Sequence, residues 1–324
     1  MSKLIGYAFC LFVATLVAFA FSPRSEGARQ PAQVDLTRVQ INDLVRFDGG
    51  MVAVGERGLI VRSSDDGKTW QSRRNDDELP ITLTGVIDLG DGALLAVGHD
   101  GLILRSADAG DSWTVVQHDG ETGEPLLGAW SGDGRQVYAF GSFGKFLVSK
   151  DGGRTWAPGE LPISGQHLND MAGSADGRRM IVGEVGLVLR SQDGGANWEQ
   201  IEPFYSGSLF GVAQLAGSHW VAYGMRGNVF VTADDGRSWT QVRLSHKLPL
   251  YGHAKNGDGV VIVGTGGAEV RLDGEGRLLS SGFLGGVGTL TSAVMLPGGK
   301  LFVAGQSGLL QERDVLQLAA SAKK

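Results

Sequence analysis

The stretch SSDDGKTW, from Ser63 to Trp70, decides the fold because it recurs along the chain. Each copy, called a box below, holds a serine or threonine, an aspartate two residues later, a glycine and a closing tryptophan. The other copies are SADAGDSW, SKDGGRTW, SQDGGANW and TADDGRSW, which end at Trp113, Trp156, Trp198 and Trp239. Successive box tryptophans are 43, 43, 42 and 41 residues apart. A period of this length is typical of repeat architectures.

A second repeated element precedes each box. It is an apolar run followed by a Gly-x-x-Gly motif, as in MVAVGERGLIVR from Met51 to Arg62. The glycine pairs are Gly55 and Gly58, Gly98 and Gly101, Gly141 and Gly144, Gly183 and Gly186, Gly224 and Gly227, Gly264 and Gly267, and Gly305 and Gly308. The last two pairs lie beyond the last box, so the glycines indicate seven units although only five keep a box.

Each unit contains four short apolar runs separated by turn signals, which is an all-β pattern. In the second unit the runs are LTGVIDL, ALLAVGH, LILRS and WTVVQH. The sequence therefore predicts an all-β protein, a seven-bladed β-propeller with four antiparallel strands per blade, over residues 31–324. The seventh unit lacks a box tryptophan. Its fourth strand is expected from VDLTRV near the N-terminus, with VLQLAA near the C-terminus as the alternative.

Residues 1–30 differ from the repeats. A basic start is followed by an apolar run from Leu4 to Phe21 and by the polar sequence SPRSEGARQ. The sequence Ala18-Phe19-Ala20 has the small-x-small form of a cleavage site, which indicates a secretory signal. The length of the run also allows an N-terminal membrane anchor over residues 4–21. In either case the propeller is expected to be exported, to the periplasm or a lumen.

The boxes themselves are expected to be scaffold. Asp65 and its equivalents can accept hydrogen bonds from the backbone of their own turn, and the tryptophan rings can pack between blades. Five calcium or sugar sites are the alternative, but a motif that repeats with the blade period is usually structural. Four arginines recur at the end of the third strand and are expected to pair between blades. They are Arg62, Arg105, Arg190 and Arg271.

These residues resemble the Asp-box, or bacterial neuraminidase repeat, found in sialidases, sortilin-type receptors and several glycanases. The whole pattern, an export signal followed by seven units with GxxGxxxxSxDGGxTW, is similar to the photosystem II stability/assembly factor family and its relatives in non-photosynthetic bacteria. The resemblance implies a non-enzymatic binding scaffold that helps to assemble a membrane protein complex. Relatives outside photosynthesis imply an inner-membrane exporter of the resistance-nodulation-division type as another partner.

Composition argues against several other classes. The net charge is −6, and no basic tract is present that would neutralise phosphates, so nucleic-acid binding is not expected. The six histidines show no HxH or HxxxH spacing, so neither a metal nor another cofactor is expected. The glycine pairs join two strands and open no helix, as a phosphate-binding loop would. The resemblance implies a membrane protein or a membrane-complex subunit as the partner, and we expect a monomer without a small-molecule substrate.

The inner strands test the alternative of a sialidase, another glycoside hydrolase or a carbohydrate-binding propeller. Their first residues align as Ile41, Leu83, Leu126, Leu168, Leu209, Leu250 and Leu290. The second column is Asn42, Thr84, Leu127, Asn169, Phe210, Tyr251 and Thr291, and the third is Asp43, Gly85, Gly128, Asp170, Gly211, Gly252 and Ser292. Tyr251 is the one nucleophile candidate for a sialidase, but no arginine in these columns could hold a substrate carboxylate. Asp43 and Asp170 could act as the paired acids of a glycosidase, although a structural role is favoured.

Partner binding is therefore expected on the face that carries the Gly-x-x-Gly tips and the loops that lead into the inner strands. Arginine and large aromatic residues are enriched at interface cores. The predicted arginine rim is Arg57, Arg73, Arg74, Arg226 and Arg243. The predicted aromatic anchors are Phe143, Phe204, Tyr205, Phe210 and Tyr251.

Overall fold

The computed structural model describes residues 2–20, 36, 39–73, 80–174 and 176–311. The chain divides into two units, Met1–Val34 and Asp35–Lys324. The first unit contains the helix α1 (Ser2–Ala20), which coincides with most of the apolar run. Among the described residues, no helix is both long and apolar enough to cross a membrane.

The second unit consists of antiparallel sheets in chain order. Blade 1 has β1 (Ile41–Phe47), β2 (Gly50–Gly55), β3 (Ile60–Ser63) and β4 (Gln71–Ser72). Blade 2 has β5 (Leu83–Gly90), β6 (Ala93–Gly98), β7 (Ile103–Ser106) and β8 (Thr114–Gln117). Blade 3 has β9 (Leu126–Ser131), β10 (Val137–Gly141), β11 (Phe146–Ser149) and β12 (Ala157–Pro158). Blade 4 has β13 (Leu168–Gly173), β14 (Arg179–Gly183), β15 (Val188–Ser191) and β16 (Glu199–Gln200).

The remaining blades follow the same order. Blade 5 has β17 (Leu209–Gln214), β18 (Trp220–Gly224), β19 (Val229–Thr232) and β20 (Thr240–Val242). Blade 6 has β21 (Leu250–Asn256), β22 (Gly259–Gly264), β23 (Ala268–Leu272) and β24 (Leu278–Phe283), and blade 7 has β25 (Leu290–Leu296), β26 (Lys300–Gly305) and β27 (Gly308–Gln311). Each sheet pairs its strands in sequence order. The predicted all-β, seven-bladed propeller is confirmed.

The fourth strand predicted for blade 7 lies outside the described residues. VLQLAA is wholly outside them, and of VDLTRV only Leu36 and Val39 are described. Both of these side chains are partly buried against the apolar cluster shared by blades 7 and 1. The assignment of this strand to the N-terminal segment stays a prediction.

The second strand of each blade explains how the ring is held together. In β2, Val52 and Val54 pack against blade 2, whereas Met51 and Ala53 pack against blade 7. Successive side chains of a strand point to opposite faces, so a strand covered on both faces is apolar at every position. Seven apolar clusters of this kind fill the seven gaps between neighbouring blades. The core of the protein therefore lies between the blades.

The Gly-x-x-Gly motif forms a tight turn between the second and third strands. In blade 1, the Leu59 N–H donates to the Glu56 carbonyl at 3.1 Å, and Arg57 and Gly58 both have positive φ, 55° and 70°. Gly55 is extended, and a Cβ there would lie 2.2 Å from the Gln40 carbonyl oxygen. The second glycine thus supplies the positive φ that the sequence predicts for the motif. The first glycine is required for a different reason, since the neighbouring backbone lies too close to admit a Cβ.

The box is a self-contained turn, as predicted. Asp65 accepts hydrogen bonds from the Ser63 hydroxyl at 2.8 Å, the Thr69 N–H at 2.9 Å and the Thr69 hydroxyl at 2.7 Å. These bonds favour the charged form and hold the pKa of Asp65 at about 2. The Trp70 indole N–H donates to the Gly67 carbonyl at 3.2 Å. Since the hydrogen bonds of the aspartate stay within the turn, the box is scaffold.

The box tryptophans differ in burial. Trp113 is 4% exposed in the cluster between blades 1 and 2, whereas Trp156 is half-buried at the edge of the next cluster. Replacing Trp113 by alanine should lower the free energy of unfolding by about 3 to 5 kcal/mol, because a large buried side chain is lost. Trp156→Ala should have a smaller effect in the same urea titration. A larger loss for Trp156→Ala would contradict the assigned packing.

Candidate partner-binding site

One face of the propeller is built from the hairpin tips and the loops that lead into the inner strands. Each tip bonds to the segment before the inner strand of its own blade, as His99 N–H does to the Thr82 carbonyl at 2.9 Å. In blades 2 to 6 the tip also approaches the described loop that leads into the next blade. A Cβ at Gly227, for example, would lie within about 3 Å of the carbonyls of His246 and Leu248. The tips and loops therefore form one continuous surface, called the loop face below.

The second column of the inner strands closes the ring at this face. In every blade the pairing register shifts between the first and third columns, so the second residue occupies a β-bulge. The bulge aims Asn42 at the next blade, where its amide donates to the Leu83 carbonyl at 2.7 Å. Thr291 links blade 7 to blade 1 in the same way, at 2.8 Å from the Ile41 carbonyl. Thr84 and Asn169 make the equivalent bonds.

The two acids of the third column bind backbone in the next blade. Asp43 accepts from the Val86 N–H at 2.9 Å and from the Ser292 hydroxyl at 2.8 Å. Asp170 accepts from the Val212 N–H at 2.9 Å and from the Met171 N–H at 2.8 Å. These bonds favour the structural interpretation of both carboxylates, since their oxygens already join neighbouring blades.

Between blades 5 and 6 aromatic groups replace the polar links. Gly211 leaves room for the Tyr223 ring, whose hydroxyl lies 2.7 Å from His253 Nδ1. Burial lowers the pKa of His253 to about 4 and raises that of Tyr223 well above its usual value. The phenol therefore donates to a neutral imidazole. Phe210 and Tyr251, both on inner strands, stack with ring centroids 5.3 Å apart, and Tyr251 remains 37% exposed.

Three predicted site residues lie at equivalent hairpin tips. Arg57, Phe143 and Arg226 are exposed and have φ values of 55°, 54° and 58°. Phe143 is 64% exposed and contacts the His167 ring edge-on at 4.9 Å. This backbone conformation directs the tip side chains outward from the loop face.

Val185 occupies the same tip position in blade 4 and was not among the predicted site residues. It is 63% exposed with a φ of 56°, a conformation that β-branched residues strongly avoid. Such strain costs roughly 1 to 3 kcal/mol and concentrates at functional sites. The signal was available in the sequence, because Val185 has the same place in its Gly-x-x-Gly motif as Phe143 and Arg226.

Other predicted residues are engaged within the propeller. Arg73, which follows β4 of blade 1, contacts the box of blade 2, where its Nε lies 3.0 Å from Asp111 Oδ1. Phe204 stacks on Trp239 at 5.0 Å, and the Tyr205 hydroxyl donates to the Met225 carbonyl at 3.3 Å. These three side chains stabilise contacts between blades. Arg243 is exposed, and Arg74 lies outside the described residues.

Three of the four third-strand arginines bridge blades, as expected, whereas the Nε of Arg271 donates to Glu269 in its own strand. Arg62 Nε donates to the Ala109 carbonyl at 2.7 Å, and Arg105 Nε donates to the Gly152 carbonyl at 2.8 Å. Arg190 binds the Asp235 carbonyl at 2.9 Å. Each of these three carbonyl acceptors belongs to the box of the following blade, on the face opposite the loop face, which is called the box face below.

Asp170 should make stability depend on pH. Removal from water, with a smaller contribution from the charge of Asp43, raises the pKa of Asp170 to about 7 against the opposing backbone hydrogen bonds. The folded protein thus keeps a proton that the unfolded carboxyl releases near pH 4, so the contribution of Asp170 to the free energy of unfolding should fall as pH rises from about 4 to 7, by at most about 1.4 kcal/mol per pH unit. The buried His253, whose pKa is lowered to about 4, contributes in the opposite direction between about pH 4 and its ordinary pKa. Box aspartates such as Asp65 also act oppositely to Asp170, since their contribution is lost only as pH falls from about 4 towards 2.

Asp170→Asn should remove this contribution, so the free energy of unfolding of the variant should rise relative to that of the wild type as pH increases from about 4 to 7, while the contributions of His253 and Asp43 remain in both proteins. Urea titrations of both proteins across this range provide the measurement. An identical pH dependence in the wild type and in Asp170→Asn would contradict the assignment.

The sequence matches the family model described as photosynthesis system II assembly factor YCF48 over residues 30–157 and 158–274. No curated protein matches it. Among solved structures, one described as YCF48 bound to D1 peptide is 19% identical, with a TM-score of 0.69 over 85% of this chain and 93% of the other. YCF48 from Cyanidioschyzon merolae is 18% identical, with a TM-score of 0.67 over 85% and 96%.

A glycoside hydrolase of family GH74 from Niastella koreensis is also similar in structure. It is 13% identical, with a TM-score of 0.64 over 85% of this chain and 52% of the enzyme. At these identities the structural likenesses show the fold alone. The two family-model matches, in contrast, cover most of the sequence.

Proposed function

The chain belongs to the family of the photosynthesis system II assembly factor YCF48, and on this premise we propose that it is a non-catalytic, exported scaffold that binds a membrane protein during assembly of its complex. The ligand would be a polypeptide segment held on the loop face. The family description supports an assembly role, and the D1 peptide carried by a solved relative supports a peptide as the ligand class.

The observation that carries the proposal is the pair of apolar tips in adjacent blades. Phe143 and Val185 expose 64% and 63% of their surface in a backbone conformation that neither side chain favours. The folded monomer gains no buried area from these exposed surfaces. A bound segment would cover them, at roughly 25 cal/mol per Å² of apolar area removed from water. Tip residues would therefore supply apolar anchors for the partner.

Cations beside these tips would add electrostatic selectivity. Tyr205 places the tips of blades 4 and 5 side by side, because its carbonyl oxygen approaches Gly186 and its hydroxyl bonds to Met225. Arg226 is the exposed residue at the tip of blade 5, and Arg243 is exposed at the end of β20. A segment with apolar and acidic residues would match this part of the loop face.

Residues 1–30 support export in this proposal. Their basic start, apolar run and small-x-small sequence fit a signal that is cleaved or retained as an anchor, with the propeller in residues 31–324. The propeller would then meet its partner in the periplasm or in a lumen. A photosystem-type complex and an inner-membrane exporter of the resistance-nodulation-division type are the two settings proposed for the partner.

The geometry favours this function over a glycosidase. Tyr251 stacks on Phe210, and the oxygens of Asp43 and Asp170 bind backbone N–H groups in neighbouring blades. Roles in ring closure account for these residues without substrate chemistry. The similarity to the GH74 enzyme concerns the fold, which hosts unrelated functions.

Replacing Phe143 and Val185 together by asparagine tests the proposal. Asparagine adopts positive φ readily, so stability should be unchanged or higher, while both apolar anchors are lost. Affinity for a membrane protein captured from solubilised membranes and identified by mass spectrometry should fall about 30- to 150-fold, as expected for the loss of two anchors of about 1 to 1.5 kcal/mol each.

Asp100→Asn provides the matched control, because Asp100 occupies the same turn position in blade 2 with a φ of 54° and is already polar. This variant should bind the partner like the wild type. Unchanged capture by the Phe143→Asn, Val185→Asn double variant would refute the assignment of the loop face.

A further inference from the structure

The box face contains an open cavity of about 610 Å³ between blades 2 and 3. Four cations line it, and they come from both blades. They are Arg105 at the end of β7, Arg135 in the turn between β9 and β10, and Lys150 and Arg154 in the box of blade 3. Within the part of the chain that the structure describes, none of the four forms an ion pair.

The equivalent site between blades 1 and 2 has a negative charge at one box position where the site between blades 2 and 3 has a positive charge. There the third-strand arginine, Arg62, lies 3.5 Å from Asp111 Oδ1 in the following box. Asp111 and Arg154 occupy the same box position, two residues before the tryptophan. The arginine–aspartate attraction of blades 1 and 2 is thus replaced by two arginines between blades 2 and 3. Burial, and after it the positive charge of Arg154, lower the pKa of Arg105.

The site between blades 4 and 5 shows that two arginines can be compensated within the protein. Arg190 and Arg237 hold the positions of Arg105 and Arg154, and they line a separate cavity of about 370 Å³ beside the outer strand of blade 4. Here Glu199 pairs with Arg190 at 2.6 Å. In blade 2 the residue at the corresponding place in the outer strand is Thr114, which cannot supply a charge.

The acids of the large cavity are mostly engaged by their own turns. Asp151 accepts from the Ser149 hydroxyl and from the N–H and hydroxyl of Thr155. Asp133 accepts from the N–H groups of Arg135 and Gln136 at 2.9 and 2.8 Å. Asp91 is exposed on the wall that blade 2 provides. The guanidinium groups that line the cavity therefore retain N–H donors that are not bonded to the carboxylates of Asp151 and Asp133.

We propose that this cavity binds a phosphate group, held between Arg105 of blade 2 and Arg135, Lys150 and Arg154 of blade 3. A tetrahedral phosphate presents oxygens in several directions and can accept from guanidinium groups on two opposing walls, whereas a carboxylate has two coplanar oxygens that match one fork. The volume leaves room for the group that the phosphate esterifies. A soluble phosphate ester and the headgroup of a phospholipid share this chemistry.

The test measures binding of glycerol 3-phosphate by calorimetry and of vesicles containing phosphatidylglycerol by co-sedimentation, with phosphatidylcholine vesicles as the reference. Wild-type protein should bind at least one of the two phosphate probes. Arg154→Asp restores at this site the charge pattern of Arg62 and Asp111. It should weaken phosphate binding about ten- to hundredfold, because a charge-assisted hydrogen bond is lost, and should leave the protein folded.

Arg237→Asp is the matched control, since it changes the equivalent box position where Glu199 already compensates Arg190. It should leave phosphate binding unchanged. Binding of glycerol 3-phosphate would identify a soluble ester as a ligand, and binding to vesicles alone would identify a lipid headgroup. Absence of binding to both probes, or equal losses in Arg154→Asp and Arg237→Asp, would overturn the proposal. The site lies on the box face, so this outcome is independent of partner binding at the loop face.

Discussion

The contact between neighbouring blades is the constraint on which the rest of the structure depends. A single four-stranded blade has two apolar faces, and each needs a neighbour, as β2 shows with Val52 facing one blade and Ala53 facing the other. The ring must therefore close, and blades 7 and 1 are joined by Phe302 and Met51 in one apolar cluster. At the inner edge, Thr291 and Ser292 bind Ile41 and Asp43. Bulges at the second column make these inner links possible without interrupting the sheets.

Closure also separates the roles of the two faces. The boxes and third-strand arginines hold the box face together, as Arg62 does through the Ala109 carbonyl. The tips on the loop face do not contribute their outermost side chains to the core. They can therefore vary from Asp100 to Phe143 or Val185 while the turn geometry stays the same. This division lets a rigid scaffold carry strained, exposed residues at defined positions.

The sequence was sufficient to predict the blades because their signals repeat. The number of blades could be predicted from the repeat period, the glycine pairs and the boxes. The interblade role of Arg105 could be predicted because an arginine recurs at this position beside the box in several blades. The inner-ring links were not predictable in the same way. Asn42, Thr84 and Tyr251 share the bulge position but have no common side-chain chemistry, so the column shows no pattern until the backbone is known.

The candidate site was predicted less completely than the blades, because its residues do not repeat from blade to blade. Loop aromatics such as Phe204 and Tyr205 can face a partner or pack between blades, and composition does not distinguish these environments. In the structure both pack against Phe230, at 5.0 and 5.3 Å. Val185 was missed because the prediction selected tip residues by type, as arginine or large aromatic, although Val185 has the same place in its Gly-x-x-Gly motif as Phe143. Its exposure and positive φ become evident only in the folded chain.

Site-specific photo-crosslinking in intact membranes tests the central claim most directly. A photoreactive phenylalanine analogue would be placed singly at Phe143, Val185 and Arg226 on the loop face, and at Ser64 and Lys68 on the box face, which are also exposed. The account predicts that the three tips crosslink to the same membrane protein and that the two box positions do not. Crosslinks to that protein from Ser64 or Lys68, with none from the tips, would contradict it.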